Sequence, residues 1–221
     1  MIADVAALPS VNAVSGVRGL PTLIQSNGAY QVEGRSTIQV QGIHSPQALF
    51  TVITPDYFRT LKVGLKSGRD FADGDTRGAT FVAIINESLA RTAFPGEDPL
   101  GRRIQCGLDS FEFMTIVGVV SDIRTRGPVT PAEAEIYMPY QQHPGPATTM
   151  NIVVRADAAD PLTLADTITR KIRARNPDVP VRATTMEGTL ETARATARFN
   201  TYLLVLFGSI ALVLALAGIT A

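Results

Sequence analysis

Short apolar runs, broken by clusters of Gly, Pro, Asp and Asn, fill most of the chain and give way to one unbroken apolar stretch at its end. The first runs predict a short helical start, a strand around 11–17 and a turn near 19–21. Residues 26–33 are polar and read as a loop; 36–41 and 49–53 read as strands. Thr54-Pro55-Asp56 is a helix start. Thr54 can cap, Pro55 suits the first helical position, and Asp56 favours the positive helix end. That helix reaches about Leu61, and Gly64 and Gly68 break the chain again. A buried-type strand over 81–85 runs into Asn86, which caps a helix over 87–94 that Pro95-Gly96 stops.

Strands follow at 102–105 and 111–120 around a polar turn near 107–110. A Gly/Pro loop covers 125–132, a short strand 136–140, and a Pro/Gly-rich linker 141–148. A new unit opens with a strand at 150–155. Asp160-Pro161 starts a helix that runs to Arg175, with Leu164, Ile168 and Ile172 on one face, and Asn176-Pro177 ends it. A strand at 179–184 would complete a strand–helix–strand or split βαβ unit. Thr184 and Glu187 form a capping box for a last helix that continues through Ala197 and Phe199. The expected fold class is α+β with mixed sheets. Two subdomains are expected: a discontinuous one (1–54 plus 149–198) and an inserted one (55–148).

The terminal stretch comprises Tyr202, Leu203, Leu204, Val205, Leu206, Phe207, Gly208, Ser209, Ile210, Ala211, Leu212, Val213, Leu214, Ala215, Leu216, Ala217, Gly218, Ile219, Thr220 and Ala221, without a charge. Twenty residues at about 1.5 Å each span about 30 Å, the hydrocarbon thickness of a bilayer. The stretch is apolar on every face, which favours a membrane helix over a buried core helix. Its one visible flank carries Arg194 and Arg198, which taken alone would place the preceding domain in the cytoplasm. No basic, apolar leader opens the chain, so an extracytoplasmic domain would need an earlier export segment. The chain is expected to be a fragment cut within or just after this stretch.

Composition narrows the function. Lys+Arg and Asp+Glu are 20 each, which argues against a general nucleic-acid binder. The apolar share of 45% supports a packed core. The single cysteine, Cys106, excludes an intramolecular disulfide and reads as a small strand residue. No phosphate-cradling G-x-x-x-x-G-K-[ST], G-x-S-x-G or G-x-G-x-x-G occurs. The chain is therefore not expected to be an ATPase motor, to be an enzyme or to bind a cofactor. His44 and His143 sit in separate loops and read as solvent-facing. Asp73, Asp75, Glu97 and Asp98 fall in turns where carboxylates make local hydrogen bonds. Arg69, Arg102 and Arg103 are expected to pair with neighbours such as Asp70, Asp73 or Asp98. Glu133 and Glu135 flank a strand entry and read as solvated.

A series of short motifs then appears in order. Thr54-Pro55-Asp56-Tyr57-Phe58 is followed by Leu61, Leu65, Gly68-Arg69, Phe71 and Asp75. Ile85-Asn86, Leu89-Ala90, Phe94-Pro95-Gly96, Asp98-Pro99-Leu100-Gly101-Arg102 and Ile104 come next. Ile116-Val117-Gly118-Val119-Val120, Asp122, Arg124 and Gly127 precede Ile136-Tyr137-Met138-Pro139-Tyr140. Together they resemble the MacB-like periplasmic core domain of FtsX-like ABC permeases, in the duplicated-permease branch. The resemblance implies porter and sabre subdomains outside the cytoplasm, in the periplasm, and a terminal helix entering the inner membrane from outside. It also implies membrane lipid, an ABC ATPase subunit, a second permease copy or half and an envelope export partner as the surroundings, with no nucleic acid. The implied function is mechanical: ATP-driven motion of the partner would be passed to export or release of a substrate. A membrane-tethered sensor or ligand-binding module is the alternative, and a tethered envelope enzyme the more remote one.

Overall fold

The computed structural model describes residues 1–21, 26–35, 45–125, 130–145, 149–157 and 161–191, with 204, 205, 207–209 and 211. Among the described residues nine strands form one mixed sheet. They are β1 (Val11–Val17), β2 (Asn27–Val32), β3 (Gln47–Ile53), β4 (Leu65–Gly68), β5 (Val82–Asn86), β6 (Arg103–Cys106), β7 (Met114–Val120), β8 (Glu135–Pro139) and β9 (Asn151–Ala156). Helices α1 (Ile2–Ala6), α2 (Tyr57–Leu61), α3 (Glu87–Ala93) and α4 (Ala165–Arg175) accompany them, α4 after a 3-10 turn at Pro161–Leu164.

The hydrogen-bonded path β2–β6–β7–β5–β8–β3 closes on itself because β2 also pairs with β3, Asn27 opposite Leu49. Closure removes the open edges from these ring strands, while β4 and β9 remain edge strands. β3 runs parallel to β8, and β5 parallel to β7; the other ring pairings are antiparallel. β1 continues from β3, and β9 lies along β1 antiparallel from Val11 to Val17.

Alternation along the ring strands sends residues to two cores. Tyr30, Val32, Phe50, Val52, Ala83, Ile85, Ile104, Met114, Ile116, Ile136 and Met138 share the inner core with Leu89, Ala93 and Phe94 from α3 and its end. The opposite face gives Ile53, Val82, Ile84, Val120 and Tyr137, which meet Tyr57, Phe58 and Phe71 beside β1. Strands buried on both faces read as continuous apolar runs, which is why β5 and β8 stand out in the sequence.

Several expectations need correction. Residues 27–32 are a strand, not a loop: Tyr30 and Val32 point inward while Asn27 stays exposed. β4 was hidden because all four of its residues are exposed on an edge. Thr54 does not cap α2; its hydroxyl accepts from Gly16 N at 2.7 Å, and Asp56 occupies the cap position with φ 66°. No strand forms over 179–184, so the strand–helix–strand unit is not built. The helix at 186–191 begins one residue later than expected, with Gly188 N donating to Thr185 Oγ1 at 3.0 Å. The expected strand at 36–41 lies outside the described residues.

Met1–Val181 form one compact unit and Arg182–Ala221 another. Among the described residues no helix is long and apolar enough to cross a membrane. Most of 202–221 lies outside them; within it, Leu204, Val205, Phe207, Gly208, Ser209 and Ala211 are helical. Leu204, Val205 and Phe207 are exposed there, and the Ser209 hydroxyl donates to the Val205 carbonyl at 2.7 Å.

One glycine is fixed by both conformation and space. Gly68 has φ +77°, and a methyl there would collide with the Val117 carbonyl and Gly118 of the neighbouring β7. Left-handed backbone costs other residues about 1–2 kcal/mol, and overpacking against backbone costs about 1–3 more. Gly68→Ala is expected to destabilise the domain by about 3 kcal/mol, read from urea unfolding midpoints. An unchanged midpoint would show that β4 is not held in this register.

Candidate functional site

The motif residues at 54–56, at 75 and at 139–140 are far apart in sequence and meet around one cleft of about 480 Å³. Ile2, Ala3 and Ala6 of α1 and the start of β1 form its apolar side. Thr54, Pro55, Asp56 and Arg59 form a second side, and Ala72, Asp73, Asp75, Pro139, Tyr140 and Gln141 the remainder.

Sheet register brings these segments together. Thr54 N donates to Gly16 O at 2.9 Å, and Tyr140 N donates to Ile53 O at 2.8 Å, so β1, β3 and β8 end side by side. Asp56 then turns the chain into α2 through left-handed backbone, a conformation that Asp tolerates better than most residues. The aromatic residues after it lock the turn from below. Phe58 meets Tyr137 edge-to-face with centroids 4.9 Å apart, and Tyr57 meets Phe58 at 5.6 Å.

Ion pairs set the charge of the cleft. Arg69 grips Asp75 with two hydrogen bonds of 2.8 Å, and Asp75 also accepts from Ala72 N at 2.9 Å. The guanidinium holds the Asp75 carboxyl below the usual carboxylate range despite its burial. The partner is therefore Asp75, not the Asp70, Asp73 or Asp98 expected. Burial pushes the Asp70 carboxyl up, partly offset by the Phe71 N–H that it accepts at 2.7 Å. Arg59 reaches Asp56 at 3.0 Å. Elsewhere Arg102 pairs with Glu97, and Arg103 with Glu33 across β2 and β6. Asp98 makes a turn bond, accepting from Leu100 N.

Two readings of polar residues are overturned. Glu135 is 2% exposed and not solvated. Its carboxylate accepts from Thr51 Oγ1 at 2.6 Å and from Tyr137 Oη at 2.8 Å. Burial raises its pKa to about 7, the two hydroxyls oppose the shift, and Glu133 and Asp122 add to it. The folded protein thus holds this proton more tightly than the unfolded chain, where Glu titrates at about 4.3. The stabilisation is complete below that value and is lost as pH rises through about 7. His143 is likewise buried, with Nδ1 2.6 Å from Asp109 and its ring edge-on to Phe81. It ties the turn after β6 to the segment after β8. Cys106 is a buried strand residue, as read, and burial pushes its thiol up to about 12. His44 lies outside the described residues. Among the described residues no three of His, Cys, Asp and Glu gather around a point that could hold a metal.

The sequence missed Glu135 because one carboxylate at a strand entry looks like a solvated end. A usable signal was present: Glu135 opens a strand whose next residues are all buried, with Tyr137 two positions on as a same-face donor.

The chain's sequence and fold match a known class of domain. The model of the MacB-like periplasmic core domain matches residues 1–172, and the chain belongs to that family, the extracytoplasmic domains of ABC-transporter permeases. The macrolide export ATP-binding/permease protein MacB of Mannheimia succiniciproducens is 28% identical over 126 residues, 56% of this chain. The chain spans only 18% of that relative's length. The periplasmic region of MacB from Actinobacillus actinomycetemcomitans shares the fold, with TM-score 0.55 and 19% identity, covering 79% of this chain and 72% of that one. The extracellular domain of the noncanonic ABC-type transporter YknZ from Gram-positive bacteria gives TM-score 0.51 at 17% identity, over 80% and 82% of the two chains.

Proposed function

We propose that this chain is the moving outer domain of an ABC-transporter permease of the bacterial inner membrane and has no enzymatic activity of its own. The observation that carries the reading is family membership over 1–172 followed, within thirty residues, by a charge-free apolar stretch. The stretch 202–221 is read as the membrane helix. Its helical residues expose Leu204, Val205 and Phe207, which suits lipid. Ser209 returns its hydroxyl to the Val205 carbonyl, as a hydroxyl in hydrocarbon must. Arg194 and Arg198 then lie outside, because topology is set over the whole protein.

Within the folded part, 1–54 plus 149–198 is read as the porter-like subdomain and 55–148 as the sabre-like one. Pairing of β1 with β9 along their length supports joining these two strands in one subdomain, whereas the ring draws β2 and β3 to the strands of 55–148. ATP turnover in a partner ATPase would move the membrane helix, and the helix at 186–191 would carry the displacement outward, since a helix resists bending. The outer domain would work against a second permease copy or half, and with an envelope export partner, to expel a substrate.

The test uses the full-length permease with its ATPase. Replacing 196–200 by a Gly/Ser stretch is expected to leave ATP hydrolysis within about twofold while substrate transport falls at least tenfold, one decade being about 1.4 kcal/mol of coupling. Transport that survives the replacement would count against the lever.

The cleft favours a second reading, a tethered ligand-binding module, because about 480 Å³ is the size of a small-molecule site. Transport abolished by the Gly/Ser stretch, with no ligand bound by the domain alone, would dismiss it.

A further inference from the structure

A second cavity shares no lining residue with the cleft and measures about 20 Å³. Thr51, Tyr57, Ile123, Thr125 and Glu135 border it. One water needs about 10–15 Å³ of such space and two to four polar partners, so the cavity admits one water and nothing larger. Thr125 is 8% exposed, and its buried Oγ1 has no hydrogen-bond partner among the described residues. Buried hydroxyls are nearly always paired, so an orphan facing a polar cavity marks the place of a water. Glu135 offers the other end of the bridge. Its carboxylate accepts from Thr51 and Tyr137, and two oxygens can take about four hydrogen bonds.

We propose that this cavity holds one water bridging the Thr125 hydroxyl to Glu135, and that a proton on Glu135 governs how firmly residues 121–125 are clamped to the β3–β8 pair. With its proton, Glu135 is neutral and suits its buried position. Without it, a buried charge faces other carboxylates. Glu133 lies on its own segment, and Asp122 lies on the clamped segment itself. Asp122 is fastened to α3 by Ser88 N at 2.8 Å, Ser88 Oγ at 2.7 Å and Arg91 at 3.2 Å, so it cannot move away without breaking these bonds. The titratable rings beside Glu135 are Tyr57 of α2 and Tyr137, both held neutral by burial. Arg18 precedes the Gly19–Pro21 wall of the cavity. Losing the proton therefore favours an opening of 121–125 that lets water reach the carboxylate. An extracytoplasmic domain meets the outside pH directly, so the clamp would respond to it.

Hydrogen exchange of the 121–125 amides in the full chain tests this between pH 5 and pH 8, after correction for the base catalysis of exchange itself. The local opening constant of the wild type is expected to rise ~50-fold across that range, from Glu135 holding its proton near pH 7 when closed and releasing it near the ordinary value when open. Glu135→Gln, neutral at every pH, should keep the low-pH protection throughout. Thr125→Val reads the water: losing a real bridge should speed exchange at pH 5 several-fold, whereas removing a hydroxyl from a dry cavity would slow it. A flat wild-type profile, a wild-type profile shared by Glu135→Gln, or slower exchange in Thr125→Val would each overturn the proposal. The wild-type profile decides the proton part even if neither variant folds.

Discussion

Replacing Phe58 with alanine is expected to lower the unfolding free energy by about 3–5 kcal/mol, the usual cost of removing a fully buried aromatic ring. Phe58 is 3% exposed and belongs to the outer core with Ile53, Val82, Ile84, Val120 and Tyr137. Its ring stands edge-on to both Tyr57 and Tyr137, so truncation removes apolar contact and two favourable aromatic geometries together. Backbone around the hole has little freedom to collapse: Val63 N donates to Phe58 O, Thr60 N to Asp56 O, and Tyr140 N to Ile53 O. The cavity should therefore remain. Urea unfolding followed by far-UV circular dichroism gives the number, and Phe58→Leu should recover more than half of the loss. A cost below about 1 kcal/mol would mean that this side of the sheet is loosely packed and that the cleft above it is not preformed.

The same face shows what the chain's pattern could and could not reveal. β5 and α3 were legible because a both-faces-buried strand is a continuous apolar run and Asn86 supplies a stop and a cap in one residue. The α+β class followed from such runs. The closed ring was not legible. It depends on Asn27–Ala29 meeting Gln47–Leu49 while Tyr30–Val32 meet Ile104–Cys106, a long-range register that no local pattern encodes. β2 therefore looked like a polar loop: its outward residues are Asn27, Ala29 and Gln31, and only Tyr30 and Val32 commit it to the core. Residues 179–184 failed in the opposite sense. They alternate like a strand, but among the described residues they have no strand to pair with, and propensity without pairing builds no sheet. At the cleft, the local motifs were visible one by one. Their convergence came from tertiary contacts, and Arg69 chose Asp75 over nearer carboxylates because Asp75 is the buried one and the Ala72 N–H orients it. His143 and Glu135 were misread for one reason: a titratable side chain is judged exposed by default, and only its partners, Asp109 in one case and Thr51 with Tyr137 in the other, make burial tolerable.

Asn86 carries the second large effect. Its sequence role is to cap α3, which it does by accepting from Leu89 N at 3.0 Å. The structure adds two further bonds. The same Oδ1 accepts from Glu135 N at 3.0 Å, and Nδ2 donates to Glu133 O at 2.7 Å. One fully buried side chain thus joins the end of β5, the start of α3 and the entry of β8. Asn86→Ala would remove the cap, worth about 0.5–2 kcal/mol. It would also leave the buried Glu135 N–H without its acceptor, at about 1–3 kcal/mol, and remove the Nδ2 bond to the Glu133 carbonyl. These terms are not additive, and a total loss of about 4 kcal/mol is expected from denaturant unfolding. Asn86→Ser separates them. Serine can cap α3 but is too short to span to both Glu133 and Glu135, so it should restore about 1 kcal/mol and no more. If Ser restored nearly all the stability, Asn86 would be an ordinary cap, and the link from α3 to the Glu135 segment would have no energetic weight. If it restored only the cap, the helix that plugs the ring would be tied through a single amide to the strand that bears the buried carboxyl.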